Sequence, residues 1–311
     1  MRSFGLLLVS LLIQACTTSP TTINQLQFVG SHNSYKLAMD KATFAVLAKR
    51  NLEAANSLEY WHIPLEEQLD AGLRKLELDI FYADDGSFVV GHVQLIDMNS
   101  SCVLLVDCFT EVLSWSSRHP EHIPVWISFN TKDQMIEGLP IPRLFTAKAF
   151  EDLDRTIIEE FEGRIIWPRE VSEFSWPKIK DSRGKFLFVL DEQSNKRDIY
   201  IERWRERPMF VNVLPPHPAA ALLIINDPVA KGEEIIKWVA EGYMVRTRAD
   251  ADTKEARADL TERRDMAIKS GAQAISTDYY LRASHFDSSY QVEPFIICNP
   301  INTSGRCRFK E

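Results

Sequence analysis

The sequence predicts a single-domain α/β fold, and a (β/α)8 TIM barrel is the arrangement that it favours. Short apolar runs alternate with amphipathic stretches, which is the pattern of βα units around a parallel sheet. Eight apolar runs can be counted, and no internal repeat or low-complexity linker divides the chain. A length of 311 residues suits one large barrel domain, although a large open α/β sheet fits the same pattern.

Predicted strands and helices follow this alternation along the chain. The eight strands are Gln27–Gly30, Arg74–Phe81, Phe88–His92, Pro124–Thr131, Lys185–Asp191, Met209–Leu214, Met244–Ala249 and Ala274–Tyr279. Five segments between them are predicted to be helical, and they are Pro64–Gly72, Val106–His119, Ala147–Phe161, Glu233–Gly242 and Leu260–Gly271. The last two end in glycine just before a strand, as helices in βα units often do.

The pleat of several predicted strands separates polar side chains from apolar ones. In the second strand, the apolar residues of Leu76–Ile80 face one side while Glu77 and Asp79 face the other. The same division groups Ser128 with Asn130 and Lys132, Arg246 with Arg248, and Ser276 with Asp278. Polar groups at the carboxyl ends of barrel strands converge on the catalytic face, so we expect these side chains at the mouth of the barrel.

The N-terminus is typical of an exported bacterial lipoprotein. Arg2 precedes an apolar stretch that is too short to span a bilayer, and Leu12-Ile13-Gln14-Ala15-Cys16 resembles a lipobox, in which Cys16 is lipidated. Ordinary cleavage nearby and cytoplasmic residence are the alternatives. We predict a lipoprotein signal peptide at residues 1–15, a polar tether at 16–23 and one barrel domain at 24–311. The protein would be secreted or anchored to a bacterial membrane, in the periplasm or at the outer membrane.

Four cysteines remain once Cys16 is assigned to lipid. They form two pairs that are close in sequence, Cys102 with Cys108 and Cys298 with Cys307. Because an exported protein meets an oxidising compartment, we predict one disulfide bond within each pair. Free buried thiols and crossed pairing are the alternatives that the sequence leaves open.

Composition and charge limit the classes of partner. With 45% hydrophobic and 26% charged residues, the chain has the composition of a soluble globular protein. Its net charge of −8 argues against nucleic acid, because a surface that follows phosphates needs a basic excess. The same charge argues against simple electrostatic adsorption to anionic lipid, and a monomer is expected.

Two histidines lie at the ends of predicted strands, close in sequence to the paired carboxylates. Gly30-Ser31-His32-Asn33-Ser34-Tyr35 ends the first strand, and Gly91-His92 ends the third. With Glu77 and Asp79, these segments supply two imidazoles, two carboxylates and a carboxamide. That set fits a divalent metal and acid–base chemistry at a phosphate ester. Each residue alone is more often structural, but their occurrence at successive strand ends favours a functional site.

These segments resemble a known enzyme family. The hexapeptide Gly30–Tyr35 resembles the first catalytic segment of phosphoinositide-type phospholipases C, and Tyr60–Arg74 looks like the second. Downstream segments, which include Val245–Thr253 and Ser276–Tyr280, are similar more specifically to the bacterial calcium-dependent phosphoinositide phospholipase C family. The resemblance covers roughly residues 24–300 of the chain.

The resemblance implies roles for both histidines. His32 and His92 match the two family histidines, and His92 would protonate the departing diacylglycerol oxygen. Asp278 would orient His32 by accepting a hydrogen bond from its ring. The substrate would be a phosphoinositide or a related phosphodiester lipid, and the first product a 1,2-cyclic inositol phosphate.

The resemblance also implies a Ca²⁺ site. Asn33, Glu77 and Asp79 match calcium ligands, with Glu77 as the preferred acceptor of the proton from the inositol 2-hydroxyl. Asn130 stands where the family usually has glutamate. An amide can bind Ca²⁺ through its carbonyl oxygen, but it carries no charge, so weaker metal binding, a different metal or reduced activity should follow.

Three cations would contact phosphate groups of the substrate, and they are Lys132, Arg246 and Arg248. The alternative for each cation is an ion pair with a carboxylate at the rim or in the mouth of the barrel. The sequence leaves the two interpretations equally open.

Three functions remain compatible with these residues. The leading one is a calcium-dependent phosphoric diester hydrolase that cleaves phosphatidylinositol-type lipids. The second is a glycerophosphodiester phosphodiesterase, and His32-Asn33-Ser34 argues against it because that class typically has His-Arg-Gly there. The third is a catalytically weakened lipoprotein that binds inositol lipids, which the uncharged Asn130 motivates.

Overall fold

The computed structural model describes residues 19–171, 175–303, 305, 307–309 and 311. Its strands are β1 (Leu26–Ser31), β2 (Lys75–Tyr82), β3 (Phe88–Val90), β4 (Val125–Thr131), β5 (Phe186–Leu190), β6 (Met209–Val211), β7 (Leu222–Ile224), β8 (Met244–Arg248), β9 (Ala274–Thr277) and β10 (Ile296–Cys298). The predicted signal peptide, residues 1–15, and the lipobox cysteine Cys16 lie outside the described residues.

Helices follow most of the strands. They are α1 (Lys41–Arg50), α2 (Leu52–Ser57), α3 (Leu65–Asp70), α4 (Leu105–Arg118), α5 (Ala147–Glu160), α6 (Ile179–Ser182), α7 (Ser194–Ile201), α8 (Pro228–Ala240), α9 (Lys254–Ala258) and α10 (Glu262–Lys269), with short 3-10 helices at Ile23–Gln25 and Pro168–Glu170. Among the described residues, no helix is long and apolar enough to cross a membrane.

Eight parallel strands form a nearly closed barrel. The strand order is β6-β5-β4-β2-β1-β9-β8-β7, and an isolated parallel bridge between Asn212 and Leu222 brings the two outermost strands together. The (β/α)8 fold class and the single domain of the prediction agree with this arrangement. Because the strands are parallel, their carboxyl ends and the loops that follow them all lie on one face, the mouth of the barrel.

The predicted strand set differs from the structure in three places. Phe88–His92 is not a barrel strand, because β3 pairs antiparallel with β2 as a hairpin, with Val90 opposite Ile80. The short turn between β2 and β3 leaves no room for the crossover that a parallel pair requires. The eighth barrel strand is β7, in an apolar segment that the sequence analysis did not assign. The antiparallel strand β10 on β1 was also not predicted.

Alternation along the strands builds two distinct cores. Leu76, Leu78 and Ile80 face outwards and pack with apolar residues of α4 and α5. On the opposite face, the base of the barrel is filled by large side chains such as Trp126 and Met244. Glu77 and Asp79 lie on that inner face above the filled base, as the pleat predicted, and only 1% of each residue is exposed.

Both predicted disulfide bonds are present. Cys102 is bonded to Cys108 beside the start of α4, and Cys298 in β10 is bonded to Cys307 near the C-terminus. Near the N-terminal end of the described residues, Thr22 forms a β-bridge with Lys178, and Ile23 is buried. Both termini of the described domain therefore lie against the barrel.

Candidate active site

The hexapeptide that ends β1 is held between β9 and β2 by its backbone. The His32 amide donates to the Thr277 carbonyl at 3.0 Å, and the Ser34 amide donates to the Glu77 carbonyl at 2.9 Å. Asn33 between them has a φ of +46°, a left-handed conformation that asparagine tolerates better than most residues. These bonds place His32 and Asn33 side by side at the mouth.

His32 contacts a carboxylate and a tyrosine hydroxyl through its ring. Its Nδ1 lies 2.8 Å from Oδ1 of Asp278, and the Tyr60 hydroxyl lies 3.3 Å from the same nitrogen. Burial and the nearby Arg248 guanidinium hold the pKa of His32 well below its usual value. A neutral imidazole that donates from Nδ1 to Asp278 has Nε2 available as an acceptor, and this nitrogen lies 3.7 Å from Glu77 Oε1.

The two carboxylates of β2 lie among cations. Glu77 Oε2 contacts Lys75 Nζ and lies 2.7 Å from Arg246. Although burial favours a protonated carboxyl, Lys75 and Arg246 hold the pKa of Glu77 well below its usual value. Asp79 Oδ2 lies 2.8 Å from Lys132 Nζ, so both carboxylates are paired with cations.

Each cation that was predicted to contact phosphate is paired with a carboxylate. Arg246 pairs with Glu77 at 2.7 Å, Arg248 with Asp278 at 3.2 Å and Lys132 with Asp79 at 2.8 Å. The ion-pairing alternative is therefore realised for all three. All three cations also lie at the mouth, so a phosphate that binds there would share their charge with the carboxylates.

Oxygen donors for a calcium ion lie together on adjacent strands. Asp79 stands opposite Asn130 in the register of β2 and β4, and Asn130 lies 3.0 Å from Glu77 Oε1 through its amide nitrogen. Asp79 Oδ1 is buried and has no hydrogen-bond partner, which is an unusual state for a carboxylate oxygen and one that a cation would relieve.

The residues present fit Ca²⁺, with an uncharged amide at position 130. Among the residues that the structure describes, no three His, Cys, Asp or Glu side chains come together as a metal-binding group. Glu77 and Asp79 would hold the ion with the amide oxygens of Asn33 and Asn130. Carboxylate and amide oxygens are the ligands that Ca²⁺ takes, and both carboxylates already share their charge with Lys75, Arg246 and Lys132.

His92 stands in the loop after β3. Its Nδ1 lies 3.1 Å from Oδ2 of Asp97. His92, Asn130 and Lys132 line one cavity of about 310 Å³. A second cavity of about 230 Å³ lies beside Asp278 and is lined by Tyr60 and several other aromatic side chains. The predicted site thus lies between two clefts at the mouth.

Sequence reasoning missed several residues of this site. Lys75 shares the inner face of β2 with Glu77, and the same alternation that identified Glu77 would have identified it. Asp97 and Tyr60 lie in loops, where no periodic pattern indicates which side chains point into the mouth. His62 also supports this site, because its Nε2 donates to the His32 carbonyl at 2.7 Å.

Solved structures show the same fold at low sequence identity. Calcium-dependent phosphoinositol-specific phospholipase C from Pseudomonas sp. is 18% identical, with 88% of this chain and 96% of that chain covered and a TM-score of 0.56. The phosphatidylinositol-specific phospholipase C of Streptomyces antibioticus is also 18% identical, with coverages of 84% and 95% and a TM-score of 0.54. That of Listeria monocytogenes is 14% identical, with coverages of 84% and 90% and a TM-score of 0.53.

Sequence comparison gives the more specific relation. No curated protein matches this sequence. The family described as phosphoinositide phospholipase C, Ca²⁺-dependent, matches residues 21–90 and 84–300, which together span most of the barrel. These segments contain both histidines and the strands β1, β2 and β4 that carry the predicted ligands. The chain therefore belongs to the Ca²⁺-dependent phosphoinositide phospholipase C family, whose members are phosphodiester hydrolases.

Proposed function

We propose that this protein cleaves phosphatidylinositol-type lipids to diacylglycerol and a cyclic inositol phosphate in a calcium-dependent reaction. The observation that carries the proposal is the arrangement of four side chains at the mouth. His32 lies 3.7 Å from Glu77, Glu77 lies 3.0 Å from Asn130, and His92 lines a cavity with Asn130. Two imidazoles near a predicted metal site suit proton transfer to and from one phosphate.

His32 is the better general base of the two candidates. Glu77 accepts bonds from Lys75, Arg246 and Asn130, and its lowered pKa makes it a weak base. His32 is neutral, its Nδ1 is engaged by Asp278, and its Nε2 has two long contacts, at 3.4 Å from Arg248 and 3.7 Å from Glu77. In this proposal Nε2 accepts the proton of the inositol 2-hydroxyl as that oxygen attacks phosphorus.

His92 serves as the general acid on the leaving side. It donates a proton to the diacylglycerol oxygen as the phosphorus–oxygen bond breaks, and Lys132 and Arg246 stabilise negative charge on the phosphoryl oxygens. Ca²⁺ held by Asn33, Glu77, Asp79 and Asn130 would supply further neutralisation of the phosphate and would lower the pKa of the attacking hydroxyl.

The loops around the mouth support a lipid rather than a water-soluble substrate. Large apolar side chains are exposed in the loops that follow five of the parallel strands, and they are Leu37, Trp61, Leu95, Met135, Ile136, Ile141, Leu144, Leu214 and Leu281. Ile141 is 77% exposed and Leu95 is 75% exposed. Exposed apolar groups gathered at one end of a protein typically mark a contact with lipid or another protein.

Export of the protein is part of the proposal. The signal-like N-terminus and the lipobox Cys16 support a lipid-anchored or secreted protein, and the two disulfide bonds accord with an oxidising compartment. A lipid anchor at Cys16 would hold the protein at a membrane. Mass spectrometry of the mature protein tests this directly, because a lipidated Cys16 adds a diacylglyceryl group.

A substrate comparison tests the function. The mature protein is incubated with phosphatidylinositol vesicles or with glycerophosphoinositol, each with Ca²⁺ or with a chelator, and the products are separated. We expect cleavage of the intact lipid with Ca²⁺ only. Preference for glycerophosphoinositol would favour a glycerophosphodiester phosphodiesterase, and binding without turnover of either compound would favour an inositol-lipid-binding protein.

A further inference from the structure

A buried ion pair stands directly behind His92. Lys36 follows the hexapeptide of β1, and its Nζ lies 2.5 Å from Oδ1 of Asp97. Both side chains are completely excluded from solvent. Removing two charges from water is costly, and replacing such a pair by apolar residues is often neutral or stabilising, so stability alone does not account for it.

Asp97 holds His92 at two points. Its Oδ2 lies 3.1 Å from Nδ1 of the ring, and its carbonyl accepts the backbone amide of His92 at 3.0 Å. Because the carboxylate can only accept, His92 carries a proton on Nδ1. Nε2 is then the nitrogen left to act in the cavity that His92 shares with Asn130 and Lys132.

Lys36 keeps Asp97 ionised and also supports the other histidine. Burial favours the protonated carboxyl, but the bond from His92 and the charge of Lys36 bring the pKa of Asp97 below its usual value. The Lys36 ammonium lies 5.1 Å from the centre of the Tyr60 ring, and the Tyr60 hydroxyl lies 3.3 Å from Nδ1 of His32. One buried lysine thus contacts the direct supports of both histidines.

We propose that Lys36 and Asp97 are positioning residues that fix His92 as the general acid, with Nδ1 bound to Asp97 and Nε2 directed at the leaving oxygen. The inference rests on the proposed function. In the step concerned, the bond between phosphorus and the diacylglycerol oxygen breaks, its electron pair stays on that oxygen, and the oxygen takes the proton from Nε2. Asp97 stays ionised and stabilises the imidazolium before transfer.

Other charged groups face the same cavity and must be kept constant in a test. Lys132, Glu192 and Lys196 line it with His92. Lys196 is paired with Glu192 at 2.9 Å and Lys132 with Asp79 at 2.8 Å. The variants below leave these groups unchanged, so a change in proton donation is assigned to the pair behind His92.

The test compares two leaving groups in one set of variants. Lys36→Met/Asp97→Leu removes the pair without leaving a buried charge, Lys36→Met/Asp97→Asn does the same but keeps an acceptor for Nδ1, and Asp154→Asn is the control. Asp154 is also a buried carboxylate paired with a cation, Arg207, at 2.7 Å, but it has no histidine partner. The substrates are short-chain phosphatidylinositol and the nitrophenyl ester of inositol phosphate, whose leaving group needs little protonation.

The proposal predicts a loss that depends on the leaving group. For Lys36→Met/Asp97→Leu, we expect kcat to fall about 10- to 100-fold on the lipid and less than about 3-fold on the nitrophenyl ester, with KM little changed. Lys36→Met/Asp97→Asn should recover part of the loss, and Asp154→Asn should retain both activities. An equal loss on both substrates would overturn the proposal.

A spectroscopic measurement keeps the proposal testable apart from catalysis. In 15N-histidine NMR spectra of the holoprotein, with His92 assigned by a His92→Gln variant, neutral His92 should carry its proton on Nδ1. Lys36→Met/Asp97→Leu should remove this preference, and an unchanged tautomer would overturn the proposal. If wild-type protein cleaves neither ester, the proposed function fails, whereas the tautomer still decides whether the pair orients His92.

Discussion

At the scale of single residues, each carboxylate of the site has its own cation. Glu77 is paired with Lys75 and Arg246, Asp79 with Lys132, and Asp278 with Arg248. Lys75 and Arg246 hold the pKa of Glu77 well below its usual value, whereas burial raises the pKa of Asp278 in spite of the nearby Arg248. A bound metal ion would therefore compete with these cations for the carboxylates. The substrate phosphate would compete with the carboxylates for the cations.

Arg248 provides the first prediction, which concerns pH. Burial and Arg248 lower the pKa of His32, so a base at His32 stays neutral, and activity is lost only as the pH falls well below the usual histidine range. Arg248→Met removes one lowering influence, so the acidic limb of the kcat/KM profile should move to higher pH. The maximum of kcat/KM should fall about tenfold, because the contact between Arg248 and the substrate phosphate is lost.

The control for Arg248→Met is Arg155→Met, at an exposed arginine that is paired with Asp152 on the helical layer. Its pH profile should overlay that of the wild type. An acidic limb that stays in place in Arg248→Met would mean that His32 is not the titrating base.

Asn130 provides the second prediction. Asn130→Glu adds a negative charge beside Glu77 and Asp79. This charge stabilises the site when Ca²⁺ is bound, and it repels the two carboxylates when Ca²⁺ is absent. We expect calcium to bind about tenfold more tightly and to stabilise the variant more than the wild type. Calorimetric titration and Tm with and without Ca²⁺ measure both effects.

The uncharged control is Asn130→Gln, which has the same chain length as Asn130→Glu. Its calcium affinity should not exceed that of the wild type. If Asn130→Glu bound Ca²⁺ no more tightly than Asn130→Gln, position 130 would not be a calcium ligand.

At the scale of elements, β1 and β2 approach unusually closely below the site. Gly30 stands opposite Lys75 in the register, and a Cβ added at Gly30 would lie 2.3 Å from Lys75 Cβ and 2.4 Å from its carbonyl oxygen. Only glycine allows this approach, which brings the hexapeptide against the carboxylates of β2. The position of His32 relative to Glu77 therefore depends on one residue without a side chain.

Gly30→Ala is the third prediction. The added methyl meets backbone that cannot move away, so the two strands must separate. We expect the free energy of unfolding to fall by at least about 2 kcal/mol, with a loss of activity beyond the loss of folded protein. Urea unfolding followed by circular dichroism measures the first quantity.

Gly232→Ala is the matched control for this change. Gly232 lies in helix α8, and a Cβ added there would meet only the flexible end of Met266, at 3.2 Å. We expect its stability to lie within about 1 kcal/mol of the wild type. Similar stabilities for Gly30→Ala and the wild type would contradict the close approach of the strands.

Strand periodicity explains which parts of the site were predictable. Glu77, Asp79 and Arg246 lie on regular strands, where alternation decides the side on which a residue points. Asp97 and Tyr60 lie in loops, and their contacts with the two histidines depend on tertiary structure that no local pattern encodes. Similarly, β7 is only three residues long and follows an irregular proline-rich segment, so it lacked a clear strand signal.

At the scale of the whole molecule, the barrel has a charged mouth inside an apolar rim. The long loops after β1, β2, β4 and β9 carry most of the exposed apolar side chains, while the base of the barrel is filled and closed. This arrangement would let the rim contact lipid while the buried charges bind the head group. The net charge of −8 gives no general attraction to anionic membranes, so rim contacts should matter.

The fourth prediction concerns this rim. Ile141→Ser/Leu144→Ser changes two exposed residues of the loop after β4 that make no contact with the site carboxylates. We expect about a tenfold or greater loss of activity on vesicles, because each buried apolar side chain contributes on the order of 1.5–3 kcal/mol. Activity on monomeric short-chain substrate should remain. Equal activities on vesicles would show that this part of the rim does not contact lipid.

The most direct test of the central claim is the identity of the first product. Phosphorus NMR of mature wild-type protein with phosphatidylinositol should show a five-membered cyclic phosphodiester appearing with Ca²⁺ and not with a chelator. His32→Ala and His92→Ala should each slow its appearance at least about 100-fold. A folded protein that produced no cyclic product at any calcium concentration would contradict the account.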